Sequence, residues 1–208
     1  LWVTPISVSY RDNLIYGLPP NSQGILALLA LGILNQLDTC LLEDETVATH
    51  LLIEAFRQAK RSVGHLITDP FQAANLPERF LQESVFRDLA TNISIDQRWE
   101  ECLVGTGSGD TVYLAVADRY GNLVSYIDSI YEDFGSGIVA GNAGFMLQNR
   151  GAYFTLNEND ANRLEGGKRS YHTLMPGMAL RDNKPWLIYG TSGGDGQPQT
   201  HLQLIYRL

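Results

Sequence analysis

Two cysteines in 208 residues, Cys40 and Cys102, are too few for a disulfide framework in a chain of this length, and both read as ordinary buried thiols. Basic residues are also scarce. The 15 Lys and Arg stand against 23 Asp and Glu, for a formal net charge of -8. That balance lacks the basic face that a nucleic acid or an anionic membrane would need, so neither is expected as a partner. The apolar run Ile25–Leu34 is far shorter than the ~20 residues of a membrane span. No signal peptide is legible; the expected compartment is the cytoplasm, with periplasm and exterior left open. HExxH and CxxC spacings are missing around His50, His65 and His201, which fall in predicted helices, so no metal is expected. Internal repeats and low-complexity tracts are absent too. What remains is a chain with 44% hydrophobic and 18% charged residues, enough to bury one large core or two small ones.

The pattern along the chain divides it. Asn21 or Ser22 is a plausible cap for a helix reaching about Leu37, apolar on every face over Ile25–Leu34 and therefore buried in a core. A second helix runs from about Glu45 to His65, with Val47, Leu51, Ala55, Ala59 and Val63 at four-residue spacing and Lys60 and Arg61 at a solvated end. A third is expected over Pro77–Thr91, with Pro77 in its first turn. Everything before Gly105 thus reads as mostly helical. Beyond it the pattern turns to strand: Thr111–Ala117, Leu123–Ile130, Gly137–Val139, Phe145–Leu147, Met178–Arg181 and Trp186–Tyr189. Asp182-Asn183-Lys184-Pro185 turns between the last two, and a final helix starts near Pro198. Asn149–Gly167 reads as a polar loop, placed to act as a flap. Helices, then dense strands, then a helix imply an α+β fold of packed sheets with helical outer layers.

Thr111 is where chemistry would sit. Before it, Gly105-Thr106-Gly107-Ser108-Gly109-Asp110 is flexible enough to bend back on itself; after it, a strand begins. In that arrangement the Thr111 hydroxyl could attack the Asp110 carbonyl, and cleavage would free a Thr111 α-amine. An α-amine ordinarily titrates at about 7.7–8, so it can act as general base to its own hydroxyl near neutral pH. The same residue also serves as an ordinary strand former. A competing pattern is Gly190-Thr191-Ser192-Gly193-Gly194, a G-x-S-x-G between strand and helix, as in α/β-hydrolases. Asp195 and His201 follow Ser192 almost at once, with little room to converge on it, and the helices-then-strands order is wrong for a doubly wound parallel sheet.

Several segments together resemble the γ-glutamyltransferase (γ-glutamyltranspeptidase) family: Asp118–Ser125, Phe134–Val139, Gly144–Asn149, Gly167-Lys168-Arg169, Met175-Pro176 and Gly190–Gly194. Upstream, Pro19-Pro20-Asn21-Ser22-Gln23-Gly24 is similar to that family's Pro-Pro-Ser-Ser-Gly-Gly start of a helix. His50, Glu54-Ala55 and Asp69-Pro70-Phe71 fall where its large subunit has similar residues. The resemblance implies the four-layer αββα sandwich of N-terminal-nucleophile hydrolases, here as a fragment, since family members extend further at both ends. Residues 1–110 would be the end of the large subunit, closing in an autocleavage linker at 105–110, and 111–208 the start of the small one. Both subunits come from one precursor, with a homo-oligomer left open. The implied catalytic set is Thr111, cut free from Asp110, with Ser129 where the family has a second threonine. The Gly193 and Gly194 amides would receive the oxyanion. No organic cofactor is implied.

Departures from the family carry information on substrate. The segment that reads the substrate's α-amine in glutathione-using members is replaced by Gln148-Asn149-Arg150-Gly151-Ala152-Tyr153-Phe154, so Arg150 stands at a Glu/Gln position and Tyr153 at an aspartate. Tyr131 replaces an asparagine and His172-Thr173 a Ser-Ser pair; Ser62-Val63 replaces an Asp-Arg pair in the second helix. An ammonium beside Arg150 would be repelled and a carboxylate welcomed. Together with Lys168–Thr173 and Gly194–Gln199, these residues resemble the transferase-like amidohydrolase branch, including oxamate amidohydrolase. The expected function is autoprocessing hydrolysis of a small carboxylate-bearing amide, with Arg150, Tyr131, Tyr153, His172 and Thr173 lining its site. Three alternatives stand beside it: a true γ-glutamyl transferase or glutathione hydrolase, a non-catalytic homologue, and, for Arg150 itself, a plain salt bridge to Glu132, Asp133 or Asp160.

Overall fold

A computed structural model describes residues 2–97 and 110–208, with Asp110 described by its backbone alone. Strands β1 (Ile6–Tyr10) and β2 (Asn13–Gly17) form a tight hairpin, Tyr10 opposite Asn13. Its turn residue Arg11 adopts a φ of 51° and lays its guanidinium against the rings of Tyr10 and Tyr206. The sequence pattern does not predict these strands, so the segment before Gly105 is not simply helical.

Helix α1 (Gly24–Leu34) follows and is buried along its whole length. Ile25, Leu26, Leu28, Leu29, Leu31, Ile33 and Leu34 are each at most 2% exposed. Each such side chain gains about 1.5–3 kcal/mol over staying in water, so α1 has no polar face because it has no solvent side. It touches β1, β2 and three other helices. The Asp38 carboxylate caps a short turn at Thr39–Leu42, where Cys40 is exposed rather than a buried thiol; Cys102 lies outside the described residues. Helix α2 (Glu45–Val63) is capped by Asp44, whose carboxylate accepts from the Thr46 and Val47 amides, and it buries Leu51, Ala55, Ala59 and Val63 as the four-residue spacing predicts. The expected third helix is broken. Short helices α3 (Pro70–Ala73) and α4 (Leu76–Phe80) precede α5 (Glu83–Ala90), and extended Gln82 separates the last two. Among the described residues no helix is long and apolar enough to cross a membrane.

Strands β3 (Asp110–Ala117) and β4 (Leu123–Tyr131) pair antiparallel as a separate two-stranded sheet. Strands β5 (Gly177–Arg181) and β6 (Lys184–Tyr189) join through Asp182 and Asn183, both at positive φ as a two-residue hairpin turn of this hand requires. Strand β5 pairs with β2, giving an antiparallel sheet ordered β1-β2-β5-β6. Pro185, which has no amide proton, sits where the β5–β6 register slips by one. Gly137–Val139 and Phe145–Leu147, expected as strands, meet only in a single bridge between Val139 and Met146. Glycines at positive φ (135, 137, 141 and 144) interrupt the extended run on both sides. Helix α6 (Gln197–Arg207) closes the described chain against α1 and α2.

Candidate active site

The β3–β4 hairpin is seated on the main sheet through Tyr113. Its ring lies where a side chain at Gly190 would stand, with an added Cβ only 2.3 Å away, so residue 190 must be glycine for the two sheets to meet this closely. The Tyr113 hydroxyl shares a 2.9 Å hydrogen bond with the Ser125 hydroxyl, which in turn lies 2.9 Å from the Gly177 carbonyl. This contact brings the start of β3 towards the loop that follows β6.

At that start the ladder bulges. Asp110 pairs with Tyr131 and Val112 with Asp128, so half-buried Thr111 alone faces two residues, Ser129 and Ile130. The extra residue re-aims the strand. Tyr131 takes up the distortion with a φ of 84°, and its amide donates to the Ser129 hydroxyl at 2.9 Å. The sheet therefore places Ser129 across from Thr111, without any help from sequence proximity.

Tyr131 leads to Arg150. The Arg150 guanidinium lies 5.2 Å from the Tyr131 ring centre, and its Nη1 donates to the Thr173 hydroxyl at 3.0 Å. Only 5% of Arg150 is exposed, and its Nε and Nη2 have no hydrogen-bond partner among the described residues. No described carboxylate forms an ion pair with it: Glu132 instead accepts from Asn149, and Asp160 from the Asn162 amide. Burial pulls the guanidinium below its ordinary pKa, opposed by the hydroxyls of Tyr153, Tyr131 and Tyr171 and by Asp195. Tyr153 packs between Tyr131, tilted to it at 47°, and Tyr171, edge-on at 63°, with ring centres 5.0 and 4.9 Å away. Burial, aided by the Asp195 charge, raises the pKa of the Tyr153 and Tyr171 hydroxyls, so both stay neutral. His172 is held near a pKa of about 4, first by burial and then by Arg150, and its neutral Nδ1 accepts from the Leu174 amide. A buried cation with two donors unused among the described residues, walled by neutral rings, has the chemistry to hold an anion.

Beyond β6 the chain turns through Gly193 (φ 123°) and Gly194 (φ 51°) before α6. Their amides donate to no group among the described residues, as an oxyanion site requires. Ser192 is exposed, whereas His201 is buried with its ring 4.8 Å from that of Tyr189. The G-x-S-x-G pattern therefore has no converging histidine, and the antiparallel sheets exclude the doubly wound fold it would need.

Three residues at this site escape the sequence pattern. Gln23 donates to the carbonyls of Thr173 and Gly194, the Tyr171 hydroxyl donates to Gln23, and Asp195 lies 3.3 Å from that hydroxyl. A glutamine at the head of an entirely apolar helix is the available signal, because it must be buried and so must be paired. Lys60, read as solvated, is only half exposed and lies over the Tyr171 ring at 5.7 Å. It lines a recess of about 240 Å³ with His65, Tyr153, Tyr171 and Asp195. The supposed flap is tied down on one side: Asn162 donates to the Ile67 carbonyl, and Thr68 and Lys168 to that of Ala161.

Two antiparallel sheets with helical cover make this a mixed helix-and-sheet protein, with Thr111 the second residue of β3. The chain matches the gamma-glutamyltranspeptidase family over residues 1–208 and belongs to it. It is 43% identical, over its full length, to the glutathione hydrolase-like YwrD proenzyme of Bacillus subtilis, covering 39% of that protein. It is 36% identical to the oxamate amidohydrolase proenzyme of Klebsiella pneumoniae, covering 98% of this chain and 38% of that one. In structure it resembles cephalosporin acylase from Bacillus halodurans, with a TM-score of 0.84 and 36% identity over 99% of this chain and 37% of the other. The chain thus spans about two fifths of the length of the curated relatives it matches.

Proposed function

We propose that this chain carries the nucleophile and the carboxylate-reading residues of an autoprocessing N-terminal-threonine amidohydrolase. The observation that carries this reading is the buried Arg150, two of whose nitrogens have no hydrogen-bond partner among the described residues, joined through Tyr131 to the bulge that holds Thr111. The names of the relatives, proenzymes and an acylase, agree with it. In this reading residues 1–110 end the large subunit and 111–208 begin the small one, and the two sheets are the inner layers of an αββα sandwich.

The chemistry runs in two stages. In the precursor, the Thr111 hydroxyl attacks the Asp110 carbonyl and the peptide nitrogen leaves, converting the amide to an ester. The departing nitrogen takes up the hydroxyl proton and becomes the Thr111 α-amine; water then hydrolyses the ester, freeing an Asp110 carboxylate and restoring the Thr111 hydroxyl. In the mature protein that amine accepts the hydroxyl proton as Thr111 Oγ attacks the substrate amide carbon. The Gly193 and Gly194 amides take up the developing oxyanion, and Ser129 orients the nucleophile. The proton passes to the leaving amine, and water releases the acyl group as a carboxylic acid. Arg150, with Thr173, holds the substrate's own carboxylate, while Tyr131, Tyr153 and His172 keep the seat dry.

Asp195 favours a second reading, since a carboxylate close to Tyr153 and Tyr171 could meet a substrate ammonium and make the protein a γ-glutamyl hydrolase or transferase. The full-length protein should decide by hydrolysing glutaryl 4-nitroanilide in preference to γ-glutamyl 4-nitroanilide. A tenfold preference for the γ-glutamyl compound in kcat/KM, about 1.4 kcal/mol, would replace the first reading with the second.

A further inference from the structure

Gln23 has no exposed surface, yet both polar atoms of its amide are hydrogen-bonded. Its Nε2 donates to the Thr173 carbonyl at 3.0 Å and to the Gly194 carbonyl at 2.9 Å, and its Oε1 accepts from the Tyr171 hydroxyl at 2.6 Å. The amide cannot be turned over, because carbonyls only accept and both must face the NH2 group. Thr173 is the residue whose hydroxyl holds Arg150, and Gly194 carries one of the two unused amides. Gln23 therefore bridges the seat for the carboxylate and the loop for the oxyanion. It does so from the far side of the Asp110–Thr111 bond, since it precedes that bond and all three partners follow it.

The Gly193–Gly194 loop needs such an anchor. Two consecutive glycines at positive φ have the widest conformational freedom a backbone offers, and an oxyanion site works only when its donors are fixed before the reaction. We propose that Gln23 is a positioning residue for the hydrolysis: it fixes the Gly193 and Gly194 amides and sets their spacing from Arg150. This assignment rests on the amidohydrolase reading above. Loss of the bridge should act on the transition state more than on substrate binding, because Arg150 keeps its bond to the Thr173 hydroxyl.

The test uses the full-length, processed protein and whichever of the two anilides it turns over. Gln23→Met keeps the volume and removes all three hydrogen bonds; Tyr171→Phe removes one of them with a single atom. For Gln23→Met, kcat should fall at least tenfold with KM within threefold, a split that a general loss of folded protein would not produce once active sites are titrated. Tyr171→Phe should shift kcat in the same direction by a smaller factor. A Gln23→Met protein with kcat within twofold of wild type overturns the assignment. If that variant does not fold, an unchanged kcat in Tyr171→Phe overturns it equally. A wild-type protein that stays uncut and cleaves neither anilide has a different signature: it rejects the amidohydrolase reading and the role of Gln23 with it.

Discussion

Arg150 carries a charge into a tyrosine-lined interior and leaves two nitrogens without a partner among the described residues. A buried cation in that condition is costly unless an anion completes it. Charge-assisted hydrogen bonds are worth about 1.5–3 kcal/mol each. Arg150→Met should therefore lower kcat/KM for glutaryl 4-nitroanilide by about tenfold or more, chiefly through KM, and leave the neutral butyryl 4-nitroanilide unchanged. Equal losses on the two would make Arg150 a structural residue. At this scale the sequence singles out residues that depart from the family's pattern, and the structure puts two of them, Arg150 and Tyr153, beside a third, Tyr131. The sequence is silent on Gln23 and on the nearness of Asp195, whose roles depend on contacts more than 20 residues away in the chain.

Among the elements, helices are easier to read than strands, for a physical reason. The four-residue spacing of α2 is a local signal repeated over five turns, and the apolar surround of α1 is unmistakable. Strands β1 and β2 are five residues each, and β2 is completed by β5 from more than 160 residues away, so neither carries enough periodicity to stand out. The packing of α6 gives a test at the same scale. His201 is buried against Tyr189 of β6, its Nε2 has no partner among the described residues, and burial holds its pKa near 4. Below about 6.5 the unfolded chain binds a proton that the folded one refuses, so this stability is present above pH 6.5 and is lost as pH falls towards 4. The full loss is roughly 3 kcal/mol. His201→Gln should flatten the dependence of the unfolding midpoint on pH between 6.5 and 4, relative to wild type. A variant that follows the wild-type slope would place the titration elsewhere.

At the scale of the whole molecule, segments before and after Thr111 are woven together. Strand β2 pairs with β5, Ser22 Oγ donates to the Leu174 carbonyl, and the Arg169 amide donates to the Asp69 carboxylate. A chain cut between Asp110 and Thr111 would stay assembled through these bonds, which is what a precursor that becomes two subunits needs. The cut itself is the central claim, and intact-mass spectrometry of the full-length protein after prolonged incubation tests it most directly. Wild type should give two fragments meeting at Asp110–Thr111, as should Ser192→Ala. Thr111→Ser should cut in part, since only a methyl group is lost, and Thr111→Ala should remain one chain without amidase activity. A Thr111→Ala protein that is cut and active, or a wild-type protein that hydrolyses amides as a single uncut chain, would contradict the account.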